Sequence, residues 1–131
     1  MELRVTRAAL NAILAAADDA APEECCGLLT GRPDCIERAT LAANVAEDRR
    51  RRFEIDPQAL VDAHRVARGG GAAVLGYFHS HPSGPPEPSA TDRAQAAHDG
   101  SVWAIAGASG VAFWRDGEDG FVRLSYRLED S

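Results

Sequence analysis

The spacing of hydrophobic positions changes several times along the chain, and each change marks an element. Leu3–Val5 is a short apolar stretch of strand type. From Arg7 to Ala20 the spacing turns helical, with Leu10, Ile13, Leu14 and Ala17 on one stripe and Thr6 where an N-cap belongs. Alanine dominates that segment, which favours helix on propensity alone, and Pro22 closes it. Cys25–Thr30 is a continuous small apolar run ended by Gly31-Arg32-Pro33, the pattern of a buried strand, and Ile36–Ala42 reads as its hairpin partner. Asn44–Arg52 is polar and reads as a loop, with Phe53–Ile55 a short strand after it. Pro57 opens a helix that runs to Arg68 and stops at Gly69-Gly70-Gly71.

The second half continues the alternation. Ala72–His79 is an apolar strand, and Pro82–Pro88 gathers four of the seven prolines. Ser89 opens a helix through Ala97, Val102–Ala106 is a strand, and Val111–Trp114 with Phe121–Arg127 form a hairpin around Asp116-Gly117. Strands and helices interleave, no repeat or linker interrupts them, and 131 residues is the length of one domain. The expected class is α/β (α+β), a single domain over residues 1–131 with a mixed, mostly antiparallel sheet flanked by helices.

Composition narrows the chemistry. The net charge is −6, all 14 basic residues are arginine, and lysine is absent. A P-loop and Schiff-base chemistry both need a lysine, so both are excluded. An acidic chain also argues against a general nucleic-acid or anionic-membrane binder, whose affinity rests on neutralising phosphates. Cys25, Cys26 and Cys35 are odd in number, two of them adjacent, so neither a disulfide framework nor a CxxC site is expected. No segment reaches the ~18–20 apolar residues of a membrane span, and no signal-type apolar run opens the chain. A soluble, cytoplasmic protein is expected.

The informative stretch is Gly76-Tyr77-Phe78-His79-Ser80-His81-Pro82, followed by Ser89-Ala90-Thr91-Asp92. Alternate residues of an extended chain point to one side, so His79 and His81 can face a single point. Asp92 falls in the first turn of a helix, where the dipole favours a carboxylate. Two histidines and an aspartate, with a fourth position left for water, match a catalytic zinc site, one Zn2+ per chain. The proline-rich loop between them limits the entropy lost when the site assembles. Each part has a plainer reading: a surface histidine, a capping box at Ser89-x-x-Asp92, an ordinary loop. Their coincidence at this spacing favours metal.

These residues resemble the signature of the JAMM (MPN+, JAB) metalloproteases: His79-x-His81, ten residues, then Asp92, with Ser89 three positions before it. Pro22-Glu23-Glu24-Cys25-Cys26-Gly27-Leu28-Leu29-Thr30-Gly31 resembles a second family segment, and Asn44 followed by Arg52-Phe53-Glu54-Ile55-Asp56-Pro57 resembles the small prokaryotic members. Tyr77 stands where eukaryotic relatives commonly have tryptophan. The resemblance implies a cytidine-deaminase-like/JAB fold, with His79, His81 and Asp92 as zinc ligands. It implies that Glu24 is the base that takes the proton of the attacking water and returns it to the leaving amine, and that Ser89 donates to the developing oxyanion. Glu23 competes with Glu24; strand alternation lets only one of them face the site. A Cys–His dyad through Cys25 or Cys26 is an outlying reading, His64 and His98 read as helix-surface residues, and Arg49–Arg52 as a solvated loop.

The implied function is hydrolysis of the amide after the C-terminal glycine of a ubiquitin-like or sulfur-carrier protein, as in relatives similar to the CysO-cysteine peptidase. No nucleic acid or membrane partner is expected, and a homodimer is compatible with the pattern. Gly27–Gly31 and Pro82–Pro88 are expected to border a groove beside a sheet edge, where an extended Gly-Gly tail docks. The alternatives are a non-catalytic MPN-type interaction module, which usually lacks the ligands, and a RadC-like or phage tail-assembly JAB domain. A zinc nucleobase deaminase needs H-x-E and P-C-x-x-C, and neither occurs.

Overall fold

Each helix begins where a polar side chain can take up a free amide of the first turn. In the computed structural model, which describes residues 2–130, helix α1 spans Arg7–Ala20 and its Ala9 amide donates to Thr6 Oγ1 at 3.1 Å. Helix α2, Pro57–Arg68, starts with proline inside its first turn and with the Gln58 amide on Asp56 Oδ1 at 3.1 Å. Helix α3, Ala90–Gln95, carries a full capping box: the Asp92 amide donates to Ser89 Oγ at 3.0 Å and the Ser89 amide to Asp92 Oδ2 at 2.9 Å. No helix among the described residues is long and apolar enough to cross a membrane.

Eight strands form one sheet: β1 (Leu3–Thr6), β2 (Cys26–Arg32), β3 (Cys35–Ala42), β4 (Ala73–Ser80), β5 (Val102–Gly107), β6 (Gly110–Gly117), β7 (Gly120–Leu124) and β8 (Tyr126–Glu129). Their order is β7-β6-β5-β4-β2-β3-β1-β8, with four antiparallel and three parallel pairings, so the sheet is mixed as expected. Strands β7 and β8 lie at opposite edges, yet only Ser125 separates them in the chain. One residue bridges only a few ångströms, so the two edges must come together and the sheet curls towards closure. The rings of Phe113 on β6 and Tyr126 on β8 meet across this gap, 4.7 Å apart.

The core fills the inside of that curl. Helix α1 touches β1, β3, β4, β5 and β6, and presses Ala9, Ile13 and Ala16 against Leu3, Val5, Leu29, Ile36, Phe78 and Phe113. This corrects the expected stripe: Leu14 is 40% exposed, while Leu10 and Ala17 only flank the core. Alanine at 9 and 16 lets the helix backbone approach the curved sheet closely. Gly27 has a related role, since a Cβ there would lie 2.2 Å from the Phe78 ring.

Four further expectations change. Phe121–Arg127 is two strands rather than one, because Leu124 pairs with Phe113 whereas Tyr126 pairs with Leu3 on the far edge. The hairpin turns at Glu118-Asp119, with Gly117 paired to Gly120; Asp116 is buried within β6 instead of sitting in the turn. Helix α3 stops at Gln95, because Asp116 Oδ2 accepts the His98 amide at 3.0 Å and holds His98 in the left-handed region at φ 57°. Phe53–Ile55 contributes a single bridge, Asn44 with Ile55, and no strand.

Candidate metal centre and active site

Strand β4 is held on one side by β2 and on the other by β5, so its end is rigidly placed. His79, the last but one residue of β4, is fully buried, and the His81 amide continues the ladder onto Ala106 O at 2.7 Å. Between them Ser80 turns the other way and ties down the neighbouring segment. Its Oγ accepts the Cys25 amide at 2.9 Å and its own amide donates to Cys25 O at 3.2 Å.

Both histidine Nε2 atoms face Asp92 Oδ2, at 3.1 Å from His79 and 3.2 Å from His81, and lie 3.2 Å from each other. Tetrahedral zinc with bonds of 2.0–2.1 Å sets its ligand atoms about 3.3 Å apart, so this triangle has the dimensions of three ligands around one ion. The donor chemistry agrees. His81 Nδ1 lies 3.1 Å from Pro85 O, which can only accept, so that nitrogen carries the proton and Nε2 of the neutral ring offers a lone pair. A carboxylate oxygen of Glu24 also lies within 4.8 Å of the two histidine nitrogens. Asp92 Oδ2 completes the triangle at 3.1 and 3.2 Å, and Glu24 stands beside it.

Two loops frame the cluster. The proline loop rests on Gly107, where a Cβ would come within 2.5 Å of Pro86 N, and is tied by Ala108 N to Gly84 O at 2.9 Å and Trp114 Nε1 to Pro86 O at 3.1 Å. On the other side Glu24 is 6% exposed, with its amide on Arg49 O at 2.7 Å and its carbonyl accepting from Asn44 Nδ2 at 3.0 Å. Glu23 instead pairs with Arg49 at 3.2 Å. The run Arg49–Arg52 is thus part of the frame, through its carbonyls as well as its charges. A cleft of about 320 Å³ opens here, lined by Glu24, Arg50, His81, Ser89 and the proline loop. The Gly27–Gly31 stretch does not line it: β2 is paired on both sides, so no sheet edge exists there, which corrects that expectation.

Burial separates the acids. Loss of solvent pushes Glu24 up to about 7, with His81 pulling it down and Asp92 and Asp48 adding to the rise. Asp92 is buried too, yet the adjoining His79 and His81 rings and the Ser89 amide hold it well below the usual carboxylate range. Burial lowers His79. It opposes the charge of His81 as well, but Asp92, the Pro85 carbonyl and Glu24 outweigh it and raise that group. Cys26 is pushed up to about 12 by burial and Cys25 is also raised, so neither is a thiolate nucleophile. Cys25, Cys26 and Cys35 are all buried and free.

Among the residues singled out from sequence, His79, His81, Asp92, Glu24 and Ser89 therefore come together. His64 lies exposed on α2, and His98 lies beyond α3 rather than in a helix, with Nδ1 3.0 Å from Gly117 O. Sequence reasoning missed Ser80, Asn44 and Phe53 as parts of the site. Asn44 and Phe53 stand in a segment without periodic signal that the family resemblance had picked out, but only their neighbours in space give them a role.

A curled mixed sheet with a helix on each face and a His-x-His/Asp cluster at the end of a central strand defines a JAB-type α/β domain. A model of the family described as prokaryotic homologs of the JAB domain matches residues 6–117, and the chain belongs to that family. It is 37% identical over 91 residues to a desampylase of Haloferax volcanii, 68% of this chain and 66% of that protein. It is 38% identical over 72 residues to a probable TtuB-protein conjugate cleaving protease of Thermus thermophilus, 55% of this chain and 48% of the other. The matched stretches thus span about two thirds and about half of those relatives. The solution structure of a Desulfitobacterium hafniense protein superposes with a TM-score of 0.86 at 29% identity, covering 98% of this chain and 94% of that one.

Proposed function

We propose that this protein is a zinc-dependent metallopeptidase that hydrolyses the amide or isopeptide bond after the C-terminal glycine of a ubiquitin-like or sulfur-carrier protein. The observation that carries the reading is the triangle of His79 Nε2, His81 Nε2 and Asp92 Oδ2 with a buried carboxylate beside it. The two relatives named for desampylation and for conjugate cleavage support it.

In this reading His79, His81 and Asp92 hold the ion. A bound zinc supplies Lewis acidity and brings the pKa of water down to about 7. Glu24, buried beside the triangle, would accept a proton from the attacking water and return it to the departing nitrogen. Ser89 Oγ accepts the Asp92 amide as the helix cap, and its hydroxyl proton is free to donate to the oxyanion of the scissile carbonyl. The proline loop and Arg50 form the walls of the cleft the tail would enter. A non-catalytic interaction module has no need of five converging polar groups, so catalysis is the reading the geometry supports.

The test is mass spectrometry of ubiquitin-like carriers extended past Gly-Gly, beside matched Ala-Ala tails, with zinc-loaded and metal-stripped protein. Cleavage of the Gly-Gly carriers alone, and only with metal, is expected. Equal cleavage of both tails, or cleavage without metal, overturns the reading.

A further inference from the structure

We propose that Phe53, held in place by Asn44, is a positioning residue of the metal centre that sets the plane of the His79 ring. The inference rests on the reading of His79 as a ligand and adds what orients it.

A metal-binding histidine usually donates its second ring nitrogen to an acceptor, which fixes the tautomer and the ring. His81 follows that pattern through Pro85 O at 3.1 Å. His79 does not: its Nδ1 is buried and has no hydrogen-bond partner among the described residues. The torsion about Cβ–Cγ of an imidazole is broad, so something else must hold the ring. The Phe53 ring does so by stacking on it, with centroids 4.2 Å apart and planes within 19°. Trp103 packs edge-on against both rings, nearly perpendicular to His79 at 5.6 Å and inclined by 77° to Phe53 at 6.1 Å.

Phe53 belongs to no strand, so its own placement needs a cause, and Asn44 supplies it. Asn44 Nδ2 donates to Arg52 O at 3.1 Å and Asn44 Oδ1 accepts from Glu54 N at 3.0 Å, bracketing Phe53 on both sides. The same side chain donates to Glu24 O at 3.0 Å and accepts from Ala46 N at 3.1 Å. Two donors and two acceptor lone pairs are all an amide side chain has, and Asn44 uses all four. One residue thereby fixes the backbone of Glu24 and the ring that faces His79.

The test measures zinc affinity by competition with a chromophoric chelator, and the visible spectrum of the Co2+ form, for Phe53→Leu, Phe53→Tyr, Asn44→Ala and His79→Ala. Phe53→Leu is expected to weaken zinc binding about 10- to 100-fold and to alter the Co2+ bands, as loss of an orienting group does. Phe53→Tyr, which keeps the aromatic face, restores both. Asn44→Ala behaves like Phe53→Leu, and the double variant is less than additive because both act through one ring. Phe53→Met replaces Phe53→Leu if the latter does not fold without metal. Wild-type affinity and an unchanged Co2+ spectrum in Phe53→Leu and Phe53→Met overturn the proposal while leaving the ligand set intact. Undiminished affinity in His79→Ala overturns the ligand reading itself, and this inference with it.

Discussion

The two faces of the sheet are built to different standards. On the inside of the curl, α1 buries Ala9, Ile13 and Ala16 in a continuous apolar core. On the other face α2 leaves its residues at most half-buried, and Val61 and Val66 are exposed there. Beside apolar Cys26, Leu28 and Ile105, that face buries His79 and Trp103, with Asp92 and Glu24 gathered near His79. Packing on the first face supplies stability, because removing apolar surface from water is the dominant favourable term. The second face gives up part of that gain to hold buried polar groups, which are costly unless hydrogen-bonded or paired.

Substitutions can separate the two roles, and the largest effect belongs to the site. Glu24→Gln is expected to lower the cleavage rate about 100- to 10,000-fold, since its amide accepts no proton, while zinc stoichiometry by elemental analysis stays at wild type. Glu23→Gln, which removes only a surface pair with Arg49, changes the rate little. The reverse result would mean that the wrong glutamate has been assigned. On the core face, Ile13→Ala should cost about 2–5 kcal/mol in denaturant unfolding and leave kcat/KM of the folded protein unchanged. Val66→Ala on α2, exposed and without core contacts, is expected to fall within about 0.5 kcal/mol of wild type. Equal costs for the two would erase the contrast between the faces.

A smaller effect follows from the pH dependence of the metal-free protein. Glu24 titrates near 7 in the folded chain, above its ordinary value of 4.5. The folded state then binds this proton more tightly than the unfolded one, so its contribution is present below pH 4.5 and is lost as pH rises through 7. Glu24→Gln should therefore melt higher than wild type at pH 8, by an amount on the order of 2 kcal/mol, and match it near pH 4.5. A difference in melting temperature that stays constant with pH would show that the buried carboxylate carries no such penalty.

Where the pattern was periodic or capped, the elements were readable. Thr6, Pro57 and Ser89 each open the helix their residue types announce, and the apolar runs around Leu29, Phe78 and Ala104 are strands of the sheet. The misreadings fall where distant groups decide. Leu14 has the right spacing for the core, but the curvature of the sheet selects Ala9, Ile13 and Ala16 instead. Ser125 ends one strand and sends the next to the opposite edge, and no local preference at that residue announces the switch. Asp116 ends α3 from eighteen positions away by accepting the His98 amide.

The site divides in the same manner. Its donors were legible in the chain alone, because His79-x-His81 on an extended segment and Asp92 in a capped first turn follow from backbone period and capping chemistry. The family resemblance pointed to Glu24 as the base over its neighbour Glu23. Only the fold shows their surroundings: Arg49 pairs with Glu23, while Asn44 and Ser80 hold the backbone on either side of Glu24. Folding likewise brings Phe53 onto His79 across 26 positions of chain, because ring stacking depends on distance in space and leaves no period in the sequence.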